Sequence, residues 1–248
     1  MGNANEIERF YAEVRKNIQA LGKDLVLQVF SNIWLRETSR YKYSYNFSWL
    51  GRPIIQLPQD MVAMQELIWR VQPDLIIETG IAHGGSLIFY ASMLELIGKD
   101  GMVLGIDIDI RNHNRTEIEK HSMSKRITMI EGSSIDNRVL QQVSDLAKGK
   151  EKVIVALDSN HTHDHVFKEL ELYSPFVTKD SYLVVFDTLV EDMPEDFFPD
   201  RPWGKGNNPK TAVKQFLQNN DCFEIDKEIE QKLLITVAPD GYLKRIKG

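Results

Sequence analysis

Cysteine is nearly absent from this 248-residue chain, in which Cys222 stands alone. One thiol cannot close an intrachain disulfide, which suits a reducing cytoplasm. A lone cysteine can be a nucleophile, but Cys222 lies in NNDCFEID with no histidine after it, so a packing role is expected. Long apolar runs are also missing, and none approaches the roughly 20 residues that span a bilayer. The start, MGNANEIERF, is too polar and acidic for a signal peptide. Glu6 stands where a myristoylation signal wants Ser or Thr. Positive charge is in deficit, with 30 Lys and Arg against 36 Asp and Glu. The net charge of -6 disfavours nucleic acid, whose binding leans on a basic face. The basic tail YLKRIKG is too short to change that. There is no internal repeat and no low-complexity tract.

What is present is the composition of an ordinary globular protein, 42% hydrophobic and 27% charged. The length suits one large α/β domain with a modest N-terminal addition. Residues 1–72 read as a helical cap with an aromatic stretch, YKYSYNFSWLG (41–51). From residue 73 to 248, apolar runs alternate with helical patterns. The runs are Leu75–Glu78, Met102–Asp107, Ile127–Glu131, Val153–Asp158 and Tyr182–Asp187. Helices are predicted near 85–98, 112–121, 136–147, 163–173 and 209–219. The alternation predicts a doubly wound, mostly parallel sheet covered on both faces. At the end, Phe223–Ile229 and Leu233–Val237 read as a hairpin that closes one side with a reversed strand.

Ligands of such sheets bind at the carboxyl ends of the strands. The five runs end in Glu78, Asp107, Glu131, Asp158 and Asp187, acids that packing alone does not explain. After the first run, Glu78-x-Gly80-x-x-x-Gly84 has the spacing of class I methyltransferases rather than the nicotinamide G-x-G-x-x-G. Gly80 would leave room for the methionine part of S-adenosylmethionine. Gly84, Gly85 and Ser86 would open a helix whose free N–H groups face a carboxylate. Asp107 ends the second run where an acid binds ribose hydroxyls, with Asp109 in reserve or as a helix cap. Ser133 and Ser134 could line the adenine; a polar loop capped by Asp136 explains them equally well.

The fourth run enters ALDSNHTHDHV. Asp158 and Asp187, on strands expected to be neighbours, could hold a hard cation such as Mg²⁺. His161 is close enough in sequence to Asp158 to act as general base. The cluster H-T-H-D-H is one residue short of the metallo-β-lactamase motif, and no distal histidine completes an iron triad. His163 and His165 therefore read as polar residues in the first turn of a helix. The loop 188–208 reads as a lid, with Trp203, Lys205, Asn207 and Asn208 over the acceptor. A surface loop or a subunit contact is the plainer alternative. For the aromatic stretch, acceptor pocket and packing core stand level.

Together, WLGRPIIQLPQDM (49–61), PDLIIETGIAHGGS (73–86), LDSNHTHDHV (157–166), DRPWGKGNNPKTAV (200–213) and EIDKEIEQKLLITVAPDGYLKR (224–245) resemble the cephalosporin hydroxylase / rhamnosyl O-methyltransferase family. The resemblance implies a Rossmann-like class I methyltransferase fold, S-adenosylmethionine and often Mg²⁺. It makes a sugar or other small-molecule hydroxyl the expected acceptor and a homo-oligomer the expected assembly. A subunit that acts with a partner protein, or a non-catalytic cofactor binder, is the alternative. The layout is also similar to catechol-type O-methyltransferases. Position for position, Asp158, Asp187 and Thr188 would then be the metal residues, and His161 would replace a catalytic lysine. The chain departs from those patterns in having Thr188 for Asn and Phe186 for the first acid of a pair.

Overall fold

Runs rich in Val, Ile and Leu become central strands when helices cover both faces of the sheet. In the computed structural model, which describes residues 2–248, two helices come first: α1 (Gly2–Leu21) and α2 (Leu25–Ser39). A short hairpin of β1 (Phe47–Trp49) and β2 (Arg52–Ile54) leads into α3 (Pro58–Val71). The alternating part follows as β3 (Leu75–Thr79), α4 (Gly85–Ile97), β4 (Met102–Asp107), α5 (Asn112–Lys120), β5 (Ile127–Glu131) and α6 (Asn137–Ala147). It continues through β6 (Val153–Leu157), α7 (His163–Tyr173) and β7 (Tyr182–Val185). The chain ends with α8 (Pro209–Asn219), β8 (Phe223–Ile225), α9 (Lys227–Leu233) and β9 (Tyr242–Arg245).

The main sheet has the order β5-β4-β3-β6-β7-β9-β8. Strands β3 to β7 are parallel, β9 runs antiparallel to β7, and β8 runs antiparallel to β9. The reversed strand expected near the C-terminus is present, but not as the tight hairpin read from the sequence. The Asp226 side chain accepts from the Glu228 N–H and starts α9, so residues 227–233 are helical. The partner of β8 is therefore β9, and Leu233–Val237 contains no strand.

Alternate side chains along the strands feed two cores. Ile76, Val103, Ile154 and Val184 pack with α3 and α4, while Leu75, Ile77, Val155 and Leu183 pack on the other face with residues of α7 and α8. Ala63, Met64, Leu67 and Ile68 of α3 lie in the first of these cores. Helix α3, just before the boundary drawn at residue 72, thus shares a core with the sheet.

The strand order reverses between β3 and β6. From β3 the chain goes on to β4 and β5, and from β6 to β7 on the other side. Crossovers depart in opposite directions there and leave a crevice beyond the carboxyl ends.

Candidate active site

At that crevice the backbones of β3 and β6 come close. Gly80 has φ +92, and a Cβ on it would meet the Asp158 carbonyl oxygen at 2.1 Å. Only glycine permits both the conformation and the approach. Gly84 is the N-cap of α4, with φ +80. A Cβ on Gly85 would meet the Pro53 carbonyl oxygen at 2.2 Å, so β2 rests on the start of α4. These contacts border a cavity of about 740 Å³.

One end of the cavity is the β3–α4 turn, with Gly80, Ile81, Ala82, Gly85 and Ser86 in its wall. Behind it, Glu78 is fully buried, and its Oε2 accepts from the Ser86 hydroxyl at 2.6 Å. Burial pushes its pKa up to about 8, and the Asp107 charge adds to that. Asp107 sits at the end of β4, where Oδ2 accepts from the Ile81 and Ala82 N–H groups at 2.7 and 3.2 Å. Asp109 points to solvent beside Arg111, 3.9 Å away. It does not cap α5, whose N-cap is Arg111. Ser134 is buried with its hydroxyl 3.1 Å from His165 Nε2, and Ser133 is half-buried beside it. Neither serine lines the cavity.

The other chemistry-bearing corner joins Asp158, His161 and Asp187, each with one donor atom within 4.8 Å of the others. His161 Nε2 lies 3.2 Å from Asp187 Oδ2. The Trp203 ring stands edge-on to His161, with centroids 4.9 Å apart. Burial holds the Asp158 carboxyl well above the usual carboxylate range, and Asp187, Glu78 and Glu169 push it the same way. Crowded, desolvated carboxylates of this kind fit a divalent cation, which removes their mutual repulsion.

Thr188 does not join them. Asp187 takes a left-handed conformation, φ 55, so the next side chain turns away. Thr188 is fully buried and donates to the Pro239 carbonyl at 2.6 Å. Its place as a metal residue is corrected on that ground, and the third corner belongs to His161.

His163 and His165 lie in the first turn of α7, as read from the sequence. His163 bridges to Thr211 and Gln215 of α8 at 2.8 and 3.0 Å. His165 reaches Ser134, Ser159 and the buried Glu169. In the loop 188–208 only part of the lid reading survives. Trp203 lines the cavity, whereas Asn207 accepts from the His163 N–H and Asn208 is the buried cap of α8. Lys205 is exposed. The aromatic stretch divides too: Tyr45 lines the cavity, and Trp49 packs on Phe89 while its Nε1 donates to Ser92 at 2.9 Å.

Several lining residues carry no signal in the sequence. Arg40 and Lys42 come from the extension, Arg201 from the long loop, and Gln56 from the link between β2 and α3. Only their place in a three-dimensional wall marks them.

The fold and this crevice define a class I methyltransferase. The chain belongs to the rhamnosyl O-methyltransferase/CmcI family, whose model matches residues 41–246. A rhamnosyl O-methyltransferase of Mycobacterium tuberculosis is 31% identical over 189 residues, covering 75% of this chain and 73% of the relative. The protein of the same name from Mycobacterium leprae is 29% identical over 200 residues, 80% of this chain and 82% of its own. Among solved structures, CmcI described with Mg and SAM is similar at TM-score 0.59 and 18% identity, covering 82% of this chain and 78% of that one. An O-methyltransferase from Bacillus cereus in complex with SAH gives 0.51 and 15%, covering 77% and 80%.

Proposed function

We propose that this protein transfers a methyl group from S-adenosylmethionine to a hydroxyl of a sugar, free or carried on a larger small molecule, with help from Mg²⁺. The observation that carries the reading is the shared cavity: the β3–α4 turn and the Asp158, His161, Asp187 corner face one space. S-adenosylmethionine, when bound, supplies an electrophilic sulfonium methyl, and a divalent cation supplies charge for an acceptor alkoxide.

The residues of the chain do the rest. The turn from Gly80 to Ser86 receives the amino-acid end of the donor at the helix N-terminus. Asp107, which ends β4 beside the turn, is the acid for the ribose hydroxyls, while Asp109, Ser133 and Ser134 lie off the cavity wall. Asp158 and Asp187 hold the cation, because Mg²⁺ prefers oxygen donors. His161 is then the base that takes the acceptor proton. Asp187 at 3.2 Å and the Trp203 edge hold the ring in place for it. Fixing acceptor oxygen and methyl in line supplies much of the acceleration.

A sugar is favoured by the rim. The aromatic rings of Tyr45 and Trp203 line it together with Arg40, Lys42 and Arg201, which carry donors for hydroxyl oxygens. The curated relatives, named for rhamnosyl methylation, support the same class. Self-association is supported by α1 and α2, where Phe10, Tyr11, Leu25, Val26, Val29 and Phe30 are all exposed.

The test is labelled-methyl transfer from S-adenosylmethionine to rhamnosides and other glycosides, with and without a chelator. Turnover that requires Mg²⁺ and fails in Asp158→Ala is expected. Turnover untouched by both would remove the cation, and no binding of S-adenosylhomocysteine would remove the methyltransferase reading.

A further inference from the structure

Gln56 poses a problem of accounting. It is 2% exposed, yet neither its Oε1 nor its Nε2 has a hydrogen-bond partner. A buried amide left unpaired on both atoms is costly and unusual. The side chain is also part of the cavity wall. It lies against the Tyr90 hydroxyl, which is itself unpaired and also neighbours Glu78. Glu78 has a second unpaired atom, Oε1. The start of α4 is close by, because Pro53 and Ile54 of β2, just before Gln56, rest on Gly85. Helix starts present N–H groups without intrahelical partners.

This corner therefore offers the cavity a donor and an acceptor on one amide beside a helix N-terminus, with the buried Glu78 behind them. An α-amino acid presents the complement: an ammonium that needs acceptors and a carboxylate that needs donors. A sugar hydroxyl or an adenine edge would use only part of the set, and the cation corner lies with His161 and Asp187 instead. We infer that Gln56 is a positioning residue for the methyl donor, clamping its amino-acid end against the start of α4. The inference rests on the proposed use of S-adenosylmethionine. It adds a residue from outside the sheet to the donor site. The clamp couples the β2–α3 link to the donor, so seating the donor also orders a segment that walls the acceptor space.

The experiment is calorimetric and needs no turnover. S-adenosylhomocysteine carries the amino-acid end, and 5′-methylthioadenosine lacks it. Each is titrated into the full-length protein and into Gln56→Ala and Gln56→Met, the second variant keeping the volume of the buried side chain. Loss of hydrogen bonds to charged groups predicts a fall of about tenfold or more in S-adenosylhomocysteine affinity. Affinity for 5′-methylthioadenosine should be unchanged in the same variants. Equal affinities of wild type and Gln56→Met for S-adenosylhomocysteine overturn the inference, as does an equal loss for both ligands. If the wild type binds neither ligand, the methyltransferase reading itself fails, which is a separate result.

Discussion

The backbone of Gly80 touches that of Asp158: a methyl group on the glycine would stand 2.1 Å from the carbonyl oxygen. The turn beside the donor and the strand end beside the cation are thus braced directly on each other. Gly80→Ala must break that contact or strain its φ of +92. A loss of about 2–4 kcal/mol is expected, measured by urea denaturation, with weaker S-adenosylhomocysteine binding in whatever folds.

Asp187 and Thr188 are adjacent in sequence and opposite in role. Asp187→Asn should cut methyl transfer on the order of 100-fold and weaken Mg²⁺ binding, because it removes a charge from the cation corner. Thr188→Val should leave Mg²⁺ affinity alone and cost roughly 1–3 kcal/mol of stability, through the lost bond to Pro239. Cation titration and thermal melting on the two variants separate these effects. Equal Mg²⁺ weakening in both would return Thr188 to the metal set.

Stability should fall as pH rises from about 4.5 through about 8. Folding raises the pKa of Glu78 from 4.5 to about 8, chiefly by burial. Over that window the folded protein keeps a proton that the unfolded chain releases, so the proton-linked stability present below 4.5 is lost on the way up. Asp60, raised by burial to about 6, acts with the same sign at the lower end. Urea midpoints at several pH values should show the slope, and Glu78→Gln should flatten it between pH 6 and 8. A slope identical in the variant would assign the effect to other groups.

Trp203 separates acceptor from donor. Its ring lines the cavity from the long loop and stands against His161, whereas Gly80 and Ser86 line it from the β3–α4 turn. Trp203→Ala should raise the KM for the sugar about tenfold while S-adenosylhomocysteine affinity holds. A parallel loss of both would place the ring at the donor.

The exposed apolar residues of α1 and α2 should be covered in solution by a second copy. Light scattering is expected to show an oligomer, and Val29→Asp with Phe30→Asp should yield a smaller species of normal melting temperature. A wild-type monomer would leave that face without its proposed partner.

The strand ends were legible because acids at the ends of apolar runs have few structural explanations. Asp107 ends β4 and Asp158 follows β6 directly, while Glu78 lies one residue before the end of β3 and Asp187 two residues past β7. Other features were hidden for physical reasons. Thr188 was misplaced because the left-handed Asp187 turns the chain, and spacing carries no such dihedral. The helix α9 was mistaken for a strand because Ile225 and Ile229 suit both periods, although Asp226 with Glu228 and Glu230 after it is a helix start. Gln56, Arg40 and Lys42 gave no signal, since their role depends on how separate segments pack around the crevice.

The cavity has two kinds of wall. Sheet-end turns form the side proposed for donor and cation, while α2, the segment after it and the loop 188–208 supply Arg40, Tyr45, Arg201 and Trp203. Such a division lets the choice of acceptor drift without disturbing the reaction centre. Exchanging those outer segments between relatives is thus a practical route to enzymes that mark different glycans with one unaltered chemistry.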